Sequence, residues 1–174
     1  MKKTFCLLTV FLAMTAVLAA QEVQIKEAKP FSYAYLDCQG SYQQIPQKIG
    51  LFMQEFFKQQ LVPYGEFFGL YLNSPEQVPE TELRWRVGFP VDAKAEVKAP
   101  LLKDEFPFTV MAVYLYVGPY EQAASCYAKI FGFIDQNGYR VAGPIMEKYL
   151  DQNPQAVEPA KLRTEIVVPV AKKP

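Results

Sequence analysis

VGPYEQAASCYAKIFGFIDQNGYRVAGPIMEKYL, running from Val117 to Leu150, decides the fold, because the chain carries its pattern twice. Moved back by 78 residues, Gly118, Tyr120, Gln122, Gly143, Tyr149 and Leu150 fall on Gly40, Tyr42, Gln44, Gly65, Tyr71 and Leu72. One inserted residue then makes the offset 79. Pro154, Val157, Leu162, Arg163, Pro169 and Val170 meet Pro75, Val78, Leu83, Arg84, Pro90 and Val91. A repeat outranks other signals, since both copies have to build the same structural unit.

Within this stretch Tyr120, Ala123, Ala124, Tyr127, Ile130, Phe131 and Ile134 recur at helical spacing and predict one apolar face. Gly118 is placed to cap the helix, Pro119 suits its first position, Glu121 complements the positive end, and Asn137-Gly138 stops it. The first copy repeats the face in the same phase with Tyr42, Ile45, Pro46, Ile49, Phe52, Met53 and Phe56. Helices are expected near 43–60 and 119–137. Aromatic and β-branched runs predict a strand before each, at Phe31–Leu36 and Phe108–Val117. Two more follow each helix, at Glu66–Leu72 and Leu83–Val91, then at Pro144–Leu150 and Leu162–Val170.

The expected fold class is α+β: duplicated β-α-β-β units in a pseudo-two-fold antiparallel sheet, with two helices on one face and a central cleft. Repeat one spans about 31–91 and repeat two about 108–170. The segment 92–107, charged and proline-bearing, is expected to be a linker rather than an element. Alternation puts Leu83, Trp85, Val87, Phe89 and Val91 on the helix-packed side, with Leu162, Thr164, Ile166, Val168 and Val170 matching them. Arg84, Arg86, Arg163 and Glu165 point the other way. In the middle strands Phe67, Gly69 and Tyr71 share a face, as do Ile145, Glu147 and Tyr149.

Composition narrows the chemistry. The 174 residues include 18 basic and 18 acidic side chains and no histidine, and 51% are apolar. That suits one globular domain and argues against binding nucleic acid by phosphate neutralisation. Without histidine there is no imidazole base, no Ser-His-Asp or Cys-His pair and no His-ligated zinc. No metal site and no cofactor are expected. Lys2 and Lys3 before the apolar run Phe5–Leu18 read as a signal peptide over residues 1–20, cleaved after Ala19 or Ala20. The domain would then occupy 21–174, in the periplasm or secreted, with no membrane attachment after cleavage. Of the three cysteines, Cys38 and Cys126 would remain, more readily two separate buried thiols than a bridge.

Val117–Leu150, together with LRTEIVVPV (Leu162–Val170), resembles the second half of the GyrI-like small-molecule-binding domain, and LRWRVGFPV (Leu83–Val91) resembles the end of its first half. The resemblance covers nearly the whole of the chain after residue 20. It implies a role like that of the effector-binding domains of multidrug-sensing transcription activators, with an aromatic-lined cleft between the halves. It also implies that the Glu of an E-x-Y-L strand meets cationic, lipophilic ligands; here that is Glu147 in EKYL. The sequence shows no helix-turn-helix pattern, so a role in transcription is not expected.

Glu147 is the leading candidate on its own terms too, since the matching position in the first copy is Gly69 and the unit does not require an acid there. A buried carboxylate needs a partner: a ligand cation is one, and Arg84, Arg86 or Arg163 is another. Tyr71, Tyr149, Tyr114 and Tyr116 are candidates for a π-lined wall, and Glu165 for a second acid. Trp85 is read as core packing. The expectation is an exported module that binds a small molecule. The alternative, which the resemblance implies through stand-alone members of the family, is a hydrolase of strained electrophiles that uses Glu147. No motif supplies a second catalytic group, which favours binding over catalysis. Haem capture ranks last, for want of a histidine ligand.

Overall fold

The computed structural model describes residues 22–174. The expected signal peptide lies outside the described residues. Strands β1 (Gln24–Glu27), β2 (Phe31–Gln39), β3 (Phe68–Tyr71), β4 (Arg84–Pro90), β5 (Leu102–Phe106), β6 (Val110–Val117), β8 (Ile145–Tyr149) and β9 (Arg163–Lys172) form one sheet in the order β1-β6-β9-β8-β3-β4-β2-β5. Every ladder is antiparallel, and the short β7 (Tyr139–Val141) adds to β9. Helix α1 (Ile45–Lys58) packs on β2 and β4, and α2 (Tyr127–Gln136) on β6 and β7.

The ladder registers carry the same offset as the sequence. Tyr33 pairs with Pro90 and Met111 with Pro169; Phe68 pairs with Gly88 and Met146 with Val167. At the centre β3 pairs with β8, and Gly69 lies directly opposite Glu147, its own counterpart in the other copy. A pseudo-two-fold axis therefore passes between these two residues.

Two strands depart from the sequence reading. The segment 92–107, expected as a linker, contains β5, and β1 was not expected. They are counterparts of each other, and each crosses to the opposite half: β1 pairs with β6 of repeat two, β5 with β2 of repeat one. Both are edge strands rich in charge (QIKE, LKDEF), which blunts an edge against pairing with other chains but hides the strand signal.

The helices depart in one detail. Residues Tyr120–Cys126 form a 3-10 segment before α2, and Tyr42–Gln44 form one before α1. Three residues per turn align Tyr120, Ala123 and Cys126, so Ala124 turns to solvent; within α2 itself Ile130 and Ile134 are buried while Phe131 is 39% exposed. Pro46, the counterpart of Ala124, is exposed as well. Pro119, not Gly118, occupies the cap position. Asn137 caps the far end, and Gly138 follows at φ +73°.

Each helix covers its own core on one sheet face. Ala34, Leu36, Cys38, Phe52, Phe56, Trp85 and Val87 are buried under α1. Val23, Ala112, Ala123, Cys126, Ile130, Ile134, Ile166 and Val168 are buried under α2. Trp85 is core, as expected, and its indole N–H donates to the Gly40 carbonyl at 3.2 Å. Cys38 and Cys126 are separate buried thiols in different clusters, and burial pushes both thiols up to about 11. The opposite face has its own apolar layer, including Tyr33, Phe68, Leu70, Phe106, Met111, Met146 and Val167.

Candidate functional site

Because α1 sits over β2 and β4 and α2 over β6 and β7, the central pair β3 and β8 forms the floor between them. Met146 is buried in the opposite layer, so the pleat aims Glu147 at the helix side. Glu147 is 6% exposed. Its carboxylate accepts from the Tyr127 hydroxyl at 2.5 Å on Oε1, and from the Tyr71 and Tyr149 hydroxyls at 3.2 and 3.3 Å on Oε2. The Tyr71 and Tyr149 hydroxyls are 3.3 Å apart, so the two symmetry-related tyrosines meet on the axis. Gly69 makes that meeting possible: a β-carbon there would lie 3.3 Å from both hydroxyl oxygens.

Rings from both halves line the floor. Tyr42 meets Tyr71 edge-on at 5.3 Å, and its counterpart Tyr120 meets Tyr149 edge-on at 5.0 Å. Phe67 stacks on Tyr149 at 5.9 Å. Tyr42, Tyr71, Tyr120, Tyr127 and Tyr149 are all partly buried.

Burial raises the Glu147 pKa above the ordinary carboxylate value, while the bonds from Tyr127, Tyr71 and Tyr149 pull it back down. The tyrosines are raised in turn, by burial first and then by neighbouring groups that include the Glu147 charge, so they stay neutral donors. Three neutral hydroxyls solvate the carboxylate without cancelling its charge. The arginines read as rival partners are engaged elsewhere. Arg84 and Arg86 pair with Asp37 at 3.6 and 3.3 Å, Arg86 also with Asp104 at 2.9 Å, and Arg163 with Asp151 at 2.8 Å. An arginine salt bridge to Glu147 is therefore not the arrangement found. The site is thus a nearly buried carboxyl group, hydrogen-bonded by three tyrosines and framed by aromatic rings.

Among the sequence candidates, Glu147, Tyr71 and Tyr149 come together. Tyr114 and Tyr116 lie on β6, beyond β9, against the core under α2. Lys129 sits 4.9 Å over the Tyr114 ring, and the Tyr116 hydroxyl donates to the Pro119 carbonyl at 3.2 Å. Glu165 is on the opposite face of the sheet, paired with Lys148 at 3.1 Å and Lys26 at 3.9 Å. Sequence reasoning took Tyr42, Tyr120 and Tyr127 as core stripe and missed their place here. The available signal was the hydroxyl each carries, which needs a partner once its ring is buried.

The model of the GyrI-like small molecule binding domain matches residues 21–171. The chain belongs to this family. A GyrI-like domain is a small-molecule-binding domain, and the fold agrees with solved structures. One is the EcmrR–DNA complex solved by cryo-electron microscopy: TM-score 0.74, 19% identity, 93% of this chain and 64% of that one. The chain thus spans less than two thirds of that EcmrR chain. A second is SAV2435 bound to tetraphenylphosphonium: TM-score 0.60, 18% identity, 87% of this chain and 94% of that one. A third is a hydrolase encoded by lin2189 from Listeria innocua: TM-score 0.63, 14% identity, 91% of this chain and 97% of that one. No curated protein matches the chain.

Proposed function

We propose that this GyrI-like domain captures or senses a lipophilic cation or polarised amphiphile over β3 and β8, between the helices, with Glu147 as counter-charge and Tyr71 and Tyr149 as walls. The observation that carries the reading is the Glu147 carboxylate, nearly buried and hydrogen-bonded by three tyrosines rather than by an arginine. A ligand cation would supply the missing charge. Tetraphenylphosphonium, the cation bound by the fold relative SAV2435, is the natural probe.

Truncating one partner of a desolvated charge pair costs about 2–5 kcal/mol, about 30- to 5000-fold in affinity. Titration calorimetry on Glu147→Gln should show a loss of that order for tetraphenylphosphonium and little change for neutral triphenylphosphine oxide. Equal losses for both would mean that Glu147 is not the counter-ion. The second reading, a hydrolase of strained electrophiles, is favoured by the 2.5 Å Tyr127–Glu147 bond, which sets a proton donor beside a carboxylate. It requires that Glu147→Gln still bind styrene oxide while losing turnover of it, and an inactive parent would reject it.

The domain is further proposed to act outside the cytoplasm, after cleavage behind Ala19 or Ala20. Intact-mass measurement on protein from its own host should then find a chain beginning at Ala20 or Gln21. A chain that keeps Met1 would overturn this.

A further inference from the structure

Besides Gly69 and Glu147, the two halves differ at a pair of positions beside the tyrosines. In the first half Trp85 fills the sheet face next to Tyr71, its cross-strand neighbour, and meets Tyr42 edge-on at 6.2 Å. Every polar tip there is satisfied: the indole donates to the Gly40 carbonyl, and the Tyr42 hydroxyl donates to the Asn73 carbonyl at 3.2 Å. In the second half the counterpart of Trp85 is Thr164, the cross-strand neighbour of Tyr149. The segment entering α2 also carries a smaller residue, Ala123 where α1 begins with Ile45. Thr164 is fully buried, and its hydroxyl has no hydrogen-bond partner. Neither has the buried hydroxyl of Tyr120, whose counterpart Tyr42 is bonded.

Two buried hydroxyls without partners thus flank Tyr149, whose own hydroxyl is on Glu147. A buried hydroxyl left unpaired is costly, and in native proteins such groups find water, an ion or a ligand. The neighbouring Glu147 charge excludes an anion. We propose that Thr164 and Tyr120 form a polar subsite continuous with the Glu147 site, taking a neutral oxygen acceptor on one arm of the ligand, a hydroxyl or carbonyl. The preferred ligand class is then a lipophilic cation with a single uncharged oxygen at the end nearer the second half. This rests on the Glu147 reading and narrows it.

The test compares tetraphenylphosphonium with (hydroxyphenyl)triphenylphosphonium, by calorimetry, on four proteins: parent, Tyr120→Phe, Thr164→Val and the double variant. Tyr120→Phe removes a hydroxyl and Thr164→Val exchanges one for a methyl group, so no buried polar atom is left unpaired and melting temperatures should hold or rise. The parent should favour the hydroxylated cation by about 2- to 10-fold, the range of one net hydrogen bond. The double variant should bind both cations equally; the ratio of the two affinities, rather than either affinity alone, is what the test reads. Absence of a preference in the parent, or its survival in the double variant, overturns the subsite and makes the two hydroxyls a water site only. Failure of tetraphenylphosphonium itself to bind in a Glu147-dependent way is a different result, and it removes the broader reading together with this one.

Discussion

Across the middle of the sheet Gly69 faces Glu147, and each makes room for what the other needs. Glycine leaves space for two tyrosine hydroxyls, and those hydroxyls, with Tyr127, solvate the acid. A buried carboxylate without a cation beside it costs stability. Burial raises the Glu147 pKa above 4.5, the value of an unperturbed carboxyl, so folding favours the protonated form. That contribution is complete below about pH 4.5 and is lost as pH rises through the folded-state value. Glu147→Gln, neutral at every pH, should therefore be more stable than the parent at pH 8, by on the order of 1 kcal/mol or about 2–4 °C. The gain should shrink to nothing near pH 4. Melting curves of the ligand-free proteins across this range decide it; a variant that is less stable at pH 8 would show that the tyrosine bonds outweigh the desolvation of the charge.

Among the elements, β1 carries more than its four residues suggest. It closes the β6 edge in the register Gln24–Val113 to Glu27–Val110, and Val23 just before it is buried under α2. Deleting residues 22–28 would strip Val23 from the core, about 1.5–3 kcal/mol, and leave β6 as an open edge. Urea denaturation of the shortened chain should show a loss of at least that size, and size-exclusion chromatography should show self-association. A monomer of parental stability would mean that β1 is ornamental. Neither β1 nor β5 was legible in the sequence, for a physical reason. A short edge strand with one solvated side and charges along it has almost no apolar alternation to read. The helix stripes were legible except at Ala124, where a 3-10 entry changes the angular step from one residue to the next, and at Pro46 and Phe131, which are exposed within the α-helices.

At the scale of the whole molecule, alternation along β3 and β8 correctly set Glu147, Tyr71 and Tyr149 on one face, and the repeat marked Glu147 by pairing it with a glycine. Alternation says which face a residue takes but not which strand lies beside which. Tyr114 and Tyr116 therefore shared the right face and still ended two strands away, while Glu165 lies on the face that alternation gave it, away from the helices and so away from the site. The charge pairs retell the symmetry with the signs exchanged. Arg86 on β4 holds Asp104 on β5, and in the matching places Glu165 on β9 holds Lys26 on β1.

That last pair of contacts ties each half to a strand borrowed from its neighbour. A half-chain standing by itself would own a first strand with nowhere to lie and a second strand with a bare flank. Two such half-chains would cure both faults by reciprocal domain swapping, since each would offer the berth the other lacks. The single polypeptide is thus a swapped pair made permanent by a covalent joint. What the joint frees is the identity of the two partners: glycine and glutamate, tryptophan and threonine, can occupy equivalent places, which no homodimer of identical halves could arrange.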